Sequence, residues 1–389
     1  MRAIGLMSGS SLDGIDAALV ALRPRGEGYE VRLERATCAP FEAEFAVRLR
    51  AALPPNVPSQ ADAGSLERAL AERFATAAEL LLDGRAPDFV ASHGLTLYHD
   101  GARGISRQLG DPYVLRERLQ ATVLCDFRRA DCALGGHGAP LVPAVDAMLF
   151  ADPRRDVVAL NLGGIANLTV LPVGAPRAEV RAWDIGPCNL VLDGFVRARS
   201  GGALAYDPGG ALAAAGHADA ALARQLLENE PYFAAPPPKS TGRERFGEPY
   251  LATIAPLLAA LSLEDGCATL VAFVAETVAE AMVSANVVRP RVVASGGGLR
   301  NATLRAALAR ELAAQDGELV DSGTFGIDPD AKEAIAFAIL GYELLRGRAA
   351  GLPSVTGAVR PALLGAIVPH RVHELLAKVA AETAGSGLR

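Results

Sequence analysis

Gly5-Leu-Met-Ser8-Gly9-Ser10-Ser11-Leu12-Asp13-Gly14-Ile15-Asp16 is the stretch on which the reading of this chain turns. A short apolar run from Arg2 leads into it, and a second, Ile15-Asp-Ala-Ala-Leu-Val-Ala-Leu22, leads out. Two apolar runs joined by a polar turn with glycine predict a β-hairpin. The turn is built of small residues, hydroxyls and acids. Glycines let backbone N–H groups come close to phosphate oxygens, hydroxyls add donors, and an acid can hold Mg2+ through water. Gly-Lys-Ser/Thr is absent, so this is no Walker loop. Taken alone, such a turn is more often structural than functional.

The theme returns in Val157-Val-Ala-Leu-Asn161-Leu-Gly163-Gly164-Ile-Ala-Asn167-Leu-Thr-Val-Leu171. Two such hairpins, one early and one near the middle, predict two related lobes of βββαβα type that face each other, with the two loops clamping a triphosphate. Length agrees, because 389 residues exceed what one core comfortably serves. Half the residues are hydrophobic but only 5% are aromatic, and Gly and Ala abound, which favours helices packed closely on a sheet over a β-sandwich. Apolar spacing predicts helices over 42–53, 61–82, 218–227, 270–288, 302–315 and 331–346. Buried strands are expected at 89–94, ending in a loop, and at 122–127, while the tail from Ala381 is expected to fray.

The net charge of -6 and the lack of any basic run exclude a dedicated nucleic-acid binder. Cys38, Cys125, Cys132, Cys188 and Cys267 are odd in number and lack C-x-x-C spacing, so free thiols in a reducing compartment are expected rather than disulfides or zinc. The N-terminus lacks the apolar stretch of a signal peptide, and the apolar runs break before the roughly 20 residues that span a bilayer. A cytoplasmic protein without membrane association is the expectation.

Three further places carry candidate chemistry. In Trp183-Asp184-Ile-Gly186-Pro187-Cys188-Asn189 an acid ends an apolar strand before a tight turn and a helix, where a general base is wanted; a carboxylate capping that helix is the rival assignment. Ser295-Gly296-Gly297-Gly298-Leu-Arg300-Asn301 lacks G-x-G-x-x-G spacing and suits close backbone approach to adenine or ribose, with a plain tight turn as its rival. Ser92-His93-Gly94, Arg128, His137 and Lys239-Ser-Thr-Gly-Arg243-Glu244 are polar where connectors need not be. Arg128 could pair bidentately with a carboxylate ligand, and His93 and His137 are either sugar contacts or hydrogen-bonded structural residues.

Gly5 to Asp16, with Gly-Ala-Pro-Leu-Val-Pro143, Asn-Leu-Gly-Gly-Ile-Ala-Asn167, Pro-Pro-Lys-Ser-Thr-Gly-Arg-Glu244 and Ser-Val-Thr-Gly-Ala358, resembles the anhydro-N-acetylmuramic acid kinase family, and the matches run in the family's order from Gly5 to Pro369. The resemblance implies an α/β, two-lobed actin-like ATPase (ribonuclease H-like) fold with its active site in the interlobe cleft. It also implies a homodimer that recycles cell-wall sugar: water opens a 1,6-anhydro ring while ATP, with Mg2+, phosphorylates O6. Lobe I is drawn as 1–130 plus 335–389 and lobe II as 131–334.

By position, Gly9, Ser10, Ser11, Leu12, Asp13, Gly14, Ile15 and Asp16 resemble the ATP phosphate loop. Asn161, Gly163, Gly164 and Asn167 form its counterpart, and Gly296, Gly297, Gly298 and Asn301 take the adenosine side. Asp184 is the implied base, Arg128 the partner of the lactyl carboxylate, and Ser92, His93 and Glu333 lie on the sugar side; a charged residue opening a helix is Glu333's other reading. No side chain is expected to bind metal directly, Mg2+ arriving with ATP and meeting Asp13 or Asp16 through water. The chain departs from the family pattern at Ser10 (usually Thr), Leu95 (usually Gln), Ile185 (usually Thr) and Cys188 (usually Gly). These departures leave room for a kinase of another sugar or sugar acid, or for a catalytically silent ATP and sugar sensor.

Overall fold

Ala3, Ile4 and Leu6 are fully buried on both faces of the first apolar run, which makes it a central strand rather than an edge. The computed structural model describes residues 1–9, 12–54, 56–174 and 177–386. It divides into two units, Met1–Leu149 with Gly326–Arg389 and Phe150–Phe325.

In the first unit, β1 (Arg2–Ser8), β2 (Gly14–Arg25) and β3 (Gly28–Pro40) run antiparallel in turn, with Leu6 opposite Ala17 and Asp16 opposite Cys38. β4 (Phe89–Asp100) lies parallel to β1 on its other side, and β6 (Thr122–Cys125) parallel to β4. β5 (Ile105–Leu109) forms a hairpin with β4, and β12 (Ala366–Val368) closes the edge beside β6, giving the order β12-β6-β4-β1-β2-β3. The helix Gln60–Glu79, capped by Ser59 Oγ on Asp62 N (3.1 Å), packs Leu66, Leu70 and Phe74 against the sheet. The helix Lys332–Leu345 lies so close to the sheet that a Cβ on Gly5 would stand 1.8 Å from the Ala334 carbonyl oxygen, and one on Gly341 would stand 2.9 Å from Ala91 Cβ.

The second unit repeats the plan. β7 (Val157–Leu162), β8 (Ile165–Leu171) and β9 (Arg181–Pro187) are antiparallel in turn, β10 (Arg291–Ser295) is parallel to β7, and β11 (Glu318–Asp321) parallel to β10. The order β11-β10-β7-β8-β9 therefore matches β6-β4-β1-β2-β3 in sequence and sense. This is a ribonuclease H-like plan, present once in each unit.

Several details depart from the sequence reading. The division falls at 149/150 and 325/326, not 130/131 and 334/335. Asp131 is fully buried and accepts from Gly138 N and Thr356 Oγ1 (both 2.8 Å), while the buried Lys332 donates to Asp146 (2.9 Å); the bonds from Thr356 and Lys332 tie 131–149 to the C-terminal part of the first unit. Strand β4 does not end at Gly94 but runs on to Asp100, because β5 pairs with its second half. The tail does not fray at Ala381: the helix continues to Ser386, with Glu382 accepting from Tyr342 Oη at 2.6 Å. Leu263–Ala285 is long and apolar enough to cross a membrane by length and composition, contrary to the expectation, yet 67% of its most apolar window is buried in the second unit's core.

Glycine at position 5 is set by space, and at 64 it is not. Gly5→Ala is expected to lower stability by about 3 kcal/mol in urea unfolding, the upper end of what overpacking costs. Gly64→Ala, in the helix Gln60–Glu79 with nothing within 4 Å of its new Cβ, is expected to raise it by about 0.5–1 kcal/mol.

Candidate active site

The first hairpin turn is anchored from beneath. Leu12 and Ile15 are buried in the first unit's core, so from these two positions only backbone can meet a ligand. Ser8 Oγ donates to Gly14 O (2.7 Å), and Leu12, at φ +60°, donates its N–H to Gly9 O (3.2 Å). A Cβ on Gly14 would stand 2.4 Å from Ala39 O, so the turn's exit presses on β3. Ser10 and Ser11 lie outside the described residues.

Asp13 is exposed and Asp16 half-buried. Burial raises the Asp16 carboxyl above its ordinary range, Asp330 and Asp13 add to this, and the Cys38 thiol opposes it by hydrogen bonding. Glu333 is raised too, by burial first and then by Asp16 and Asp146, against the pull of Lys332 and Arg128. Asp13, Asp16, Asp330 and Glu333 thus make one acidic neighbourhood at the turn.

On the same unit, the buried His93 donates from Nδ1 to Gly94 O (2.9 Å) and accepts at Nε2 from Arg128 Nε (2.9 Å). Arg128 Nη1 donates to Gly138 O at 2.8 Å, which gives the Gly-Ala-Pro motif a task. Burial lowers Arg128 to about 10, with Glu333 opposing. Ser92 Oγ is buried and has no hydrogen-bond partner among the described residues. His137 donates its N–H to Thr356 O (2.8 Å), and its Cβ lies 2.8 Å from where a Cβ on Gly101 would be, so its backbone is fastened as a structural residue's would be.

In the second unit the two glycine motifs touch. Gly296 sits at φ +90°, and a Cβ there would stand 2.7 Å from Asn161 Oδ1; one on Gly298 would stand 2.7 Å from Leu162 Cβ. Gly163 and Gly164 offer their carbonyls to the first N–H groups of the helix Asn189–Arg199, which receive no other cap: Cys188 N and Leu190 N bond Gly164 O (2.9 and 3.1 Å), and Asn189 N bonds Gly163 O (3.1 Å). Asn167 lies opposite Asn161 across the hairpin. A Cβ on Gly297 would have nothing within 4 Å, so the backbone there is open to a ligand. Asn301 Oδ1 caps the helix Ala302–Ala313 by accepting from Leu304 N (2.9 Å), a structural duty that sequence reasoning did not give it.

Asp184 is not a helix cap: the residue at the cap position is Cys188, whose side chain makes no capping bond to the helix. The carboxylate instead accepts at Oδ2 from Thr241 N (2.9 Å), while Asp184 N donates to Lys239 O (3.1 Å) and Asp184 O accepts from Tyr232 Oη (2.8 Å). Lys239 Nζ is itself spent on Tyr232 O and Phe233 O (2.9 and 3.0 Å). The Lys-Ser-Thr-Gly-Arg-Glu segment is therefore the cradle of Asp184, a partnership over 57 residues that no local pattern announces. Burial pushes the Asp184 carboxyl up to about 6; the Thr241 N–H pulls it down and Glu244 pushes it up.

Residues 1–370 match the family model described as anhydro-N-acetylmuramic acid kinase. The chain belongs to the anhydro-N-acetylmuramic acid kinase family. Among relatives carrying the name anhydro-N-acetylmuramic acid kinase, that of Streptomyces coelicolor is 42% identical over 377 residues, covering 95% of this chain and 94% of the relative. That of Synechococcus elongatus is 40% identical over 381 residues (94% and 98%), and that of Salinibacter ruber 42% identical over 384 (94% and 95%).

Of the chain's four departures from the anhydro-N-acetylmuramic acid kinase pattern, Ser10 lies outside the described residues and the other three fall in packed interiors. Leu95 is 1% exposed in the first unit's core, and Ile185 is 2% exposed in the second's. Cys188 is fully buried, and burial pushes its thiol up to about 12, which makes it a small packing residue and not a reactive one. Cys125 and Cys267 are likewise raised, to about 11 and 12, and Cys132 is buried, leaving Cys38 exposed. A chromogenic disulfide reagent at pH 8 is expected to titrate one thiol quickly, that of Cys38, and the other four only in denaturant; a fast thiol surviving Cys38→Ser contradicts this.

Proposed function

We propose that this protein is an ATP-dependent kinase that opens the ring of 1,6-anhydro-N-acetylmuramic acid with water and phosphorylates O6, giving N-acetylmuramic acid 6-phosphate and ADP in cell-wall sugar recycling. The observation that carries the reading is the setting of Asp184. One oxygen is held by a main-chain N–H, and the carboxyl is raised to about 6, so it is ionised near neutral pH yet a stronger base than an exposed carboxylate. Water bonded to Asp184 attacks the anomeric carbon as Asp184 takes its proton. The bond from that carbon to O6 breaks, and O6, bearing the released electron pair, attacks the γ-phosphorus as ADP leaves. One base suffices because the leaving oxygen is captured by the phosphoryl group.

Gly9 to Asp16, with Asn161, Gly163, Gly164 and Asn167, hold the phosphates in this proposal, and Gly296 to Gly298 with Asn301 take the adenosine. Phosphoryl transfer depends mostly on positioning and charge stabilisation, which backbone donors at glycine turns supply. Among the described residues no group of three or more carboxyl, imidazole or thiol side chains is placed to ligate a metal, so Asp13 and Asp16 would hold Mg2+ only through water, and it would screen the triphosphate charge. Arg128 takes the lactyl carboxylate, with Ser92 and Glu333 on the sugar side and His93 behind Arg128. The proposal includes a homodimer working in the cytoplasm. A re-specified sugar pocket would need Leu95 or Ile185 to line it, and their burial in the two cores gives that alternative no support.

Asp184→Asn is expected to cut kcat about 10^2 to 10^4-fold, the usual worth of a general base, while nucleotide affinity stays; near-normal turnover removes Asp184 from the mechanism. In the wild type, kcat should rise as pH passes about 6 and level off above it, because the ionised carboxylate is the active form. Stability moves the other way. A carboxyl raised by folding opposes folding above its folded pKa, so Asp184→Asn should be more stable than wild type above pH 6, with the difference closing toward pH 4. Mass analysis should find a product heavier than the anhydro sugar by both water and phosphate; turnover only with another sugar overturns the substrate assignment.

A further inference from the structure

Arg128 is a partly buried guanidinium that makes no ion pair closer than 4 Å among the described residues. Its two hydrogen-bond partners, His93 Nε2 and Gly138 O, are neutral, and they occupy Nε and Nη1. Among the described residues Nη2 is left without a partner. A guanidinium so held, with Glu333 near it but in no ion pair with it among the described residues, keeps its remaining donor edge fixed in place, the arrangement of a receptor for an anion.

What fixes that direction is His93. Its ring is locked from three sides: Nδ1 bonds Gly94 O at 2.9 Å, Nε2 bonds Arg128 Nε at 2.9 Å, and the face stacks on Phe337 with ring centroids 4.5 Å apart. A carbonyl can only accept and a guanidinium only donate, so Nδ1 carries the hydrogen and Nε2 is the bare acceptor. Gly94, at φ +76°, supplies the carbonyl from a backbone shape that other residues resist, and a Cβ there would stand 2.2 Å from Leu109 O. Both ring nitrogens are thereby used up, which removes His93 as a direct sugar contact.

We infer that His93 is a positioning residue: as a neutral Nδ1–H imidazole it orients Arg128 so that the free edge of the guanidinium meets the carboxylate of the acceptor sugar. This rests on the reading that Arg128 binds that carboxylate, and it adds why a histidine stands beside it. Burial and the neighbouring Arg128 both hold the ring below its ordinary pKa, so it stays an acceptor over the working pH range.

The test compares two amides. Asn reaches the position of Nδ1 and can keep the bond near Gly94 but cannot reach Arg128, whereas Gln can place an oxygen near the position of Nε2. Steady-state kinetics with 1,6-anhydro-N-acetylmuramic acid and with its methyl ester give the ratio of KM for ester to acid. His93→Asn is expected to shrink that ratio by about tenfold or more, the worth of a hydrogen bond to a charged group, and His93→Gln to restore most of it. In an Arg128→Met background, exchanging His93 for Asn should no longer move the ratio. Equal loss on acid and ester, or an undiminished effect of His93→Asn in the Arg128→Met background, overturns the positioning role alone. A ratio that Arg128→Met leaves unmoved overturns the carboxylate reading itself. Nitrogen-15 spectra of the ring supply a readout independent of turnover: a protonated Nε2 in the wild type also refutes the assignment.

Discussion

The contact of Gly5 with the carbonyl of Ala334 is the constraint from which the first unit's site is built. A strand and a helix can approach this closely only where the strand presents no side chain, and Gly5 does so in the middle of an otherwise apolar strand. The helix beginning at Lys332 is thereby held with its first turn near the hairpin turn that follows β1. Glu333 then falls beside the carboxyl of Asp16, which Asp13 and Asp330 also approach, and Phe337, one turn on, meets the ring of His93. An acidic neighbourhood and an anchored guanidinium both descend from one missing methyl group.

The second unit reaches a similar end by similar means. Gly296 and Gly298 let the end of β10 settle on the Asn161 turn, and that turn in turn supplies carbonyl oxygens to the start of the helix at Asn189. Neither glycine motif is a free loop; each has a packing duty that coexists with an open backbone at Gly297. The shared strand order of the two sheets explains why both hairpin turns are visible as echoes of one another.

What is legible in the sequence follows from local chemistry. The two hairpins, the helices at 60–79 and 302–313, and the family strings can be read because apolar spacing and glycine turns act over a few residues. The tie between Asp184 and Thr241 cannot, since nothing in either segment specifies its partner. The same holds for the lobe boundary, which depends on the buried Asp131 bonding Thr356, and for Leu95, whose place in the core is set by strand register and not by its neighbours in sequence. His93 stands out in the sequence as unusual, but only the fold turns its two nitrogens toward Gly94 and Arg128.

The bond that steadies Asp184 comes from the main chain of residue 241, not from a side chain. Any amino acid except proline supplies that N–H, so the cradle is indifferent to the identity of residue 241 but strict about the path of the chain through it. Genetic variation should therefore be filtered here by length more than by letter: replacements within the loop can accumulate, whereas a one-residue insertion or deletion between Lys239 and Thr241 shifts the donor by roughly 3 Å or more and leaves the carboxylate without its hold.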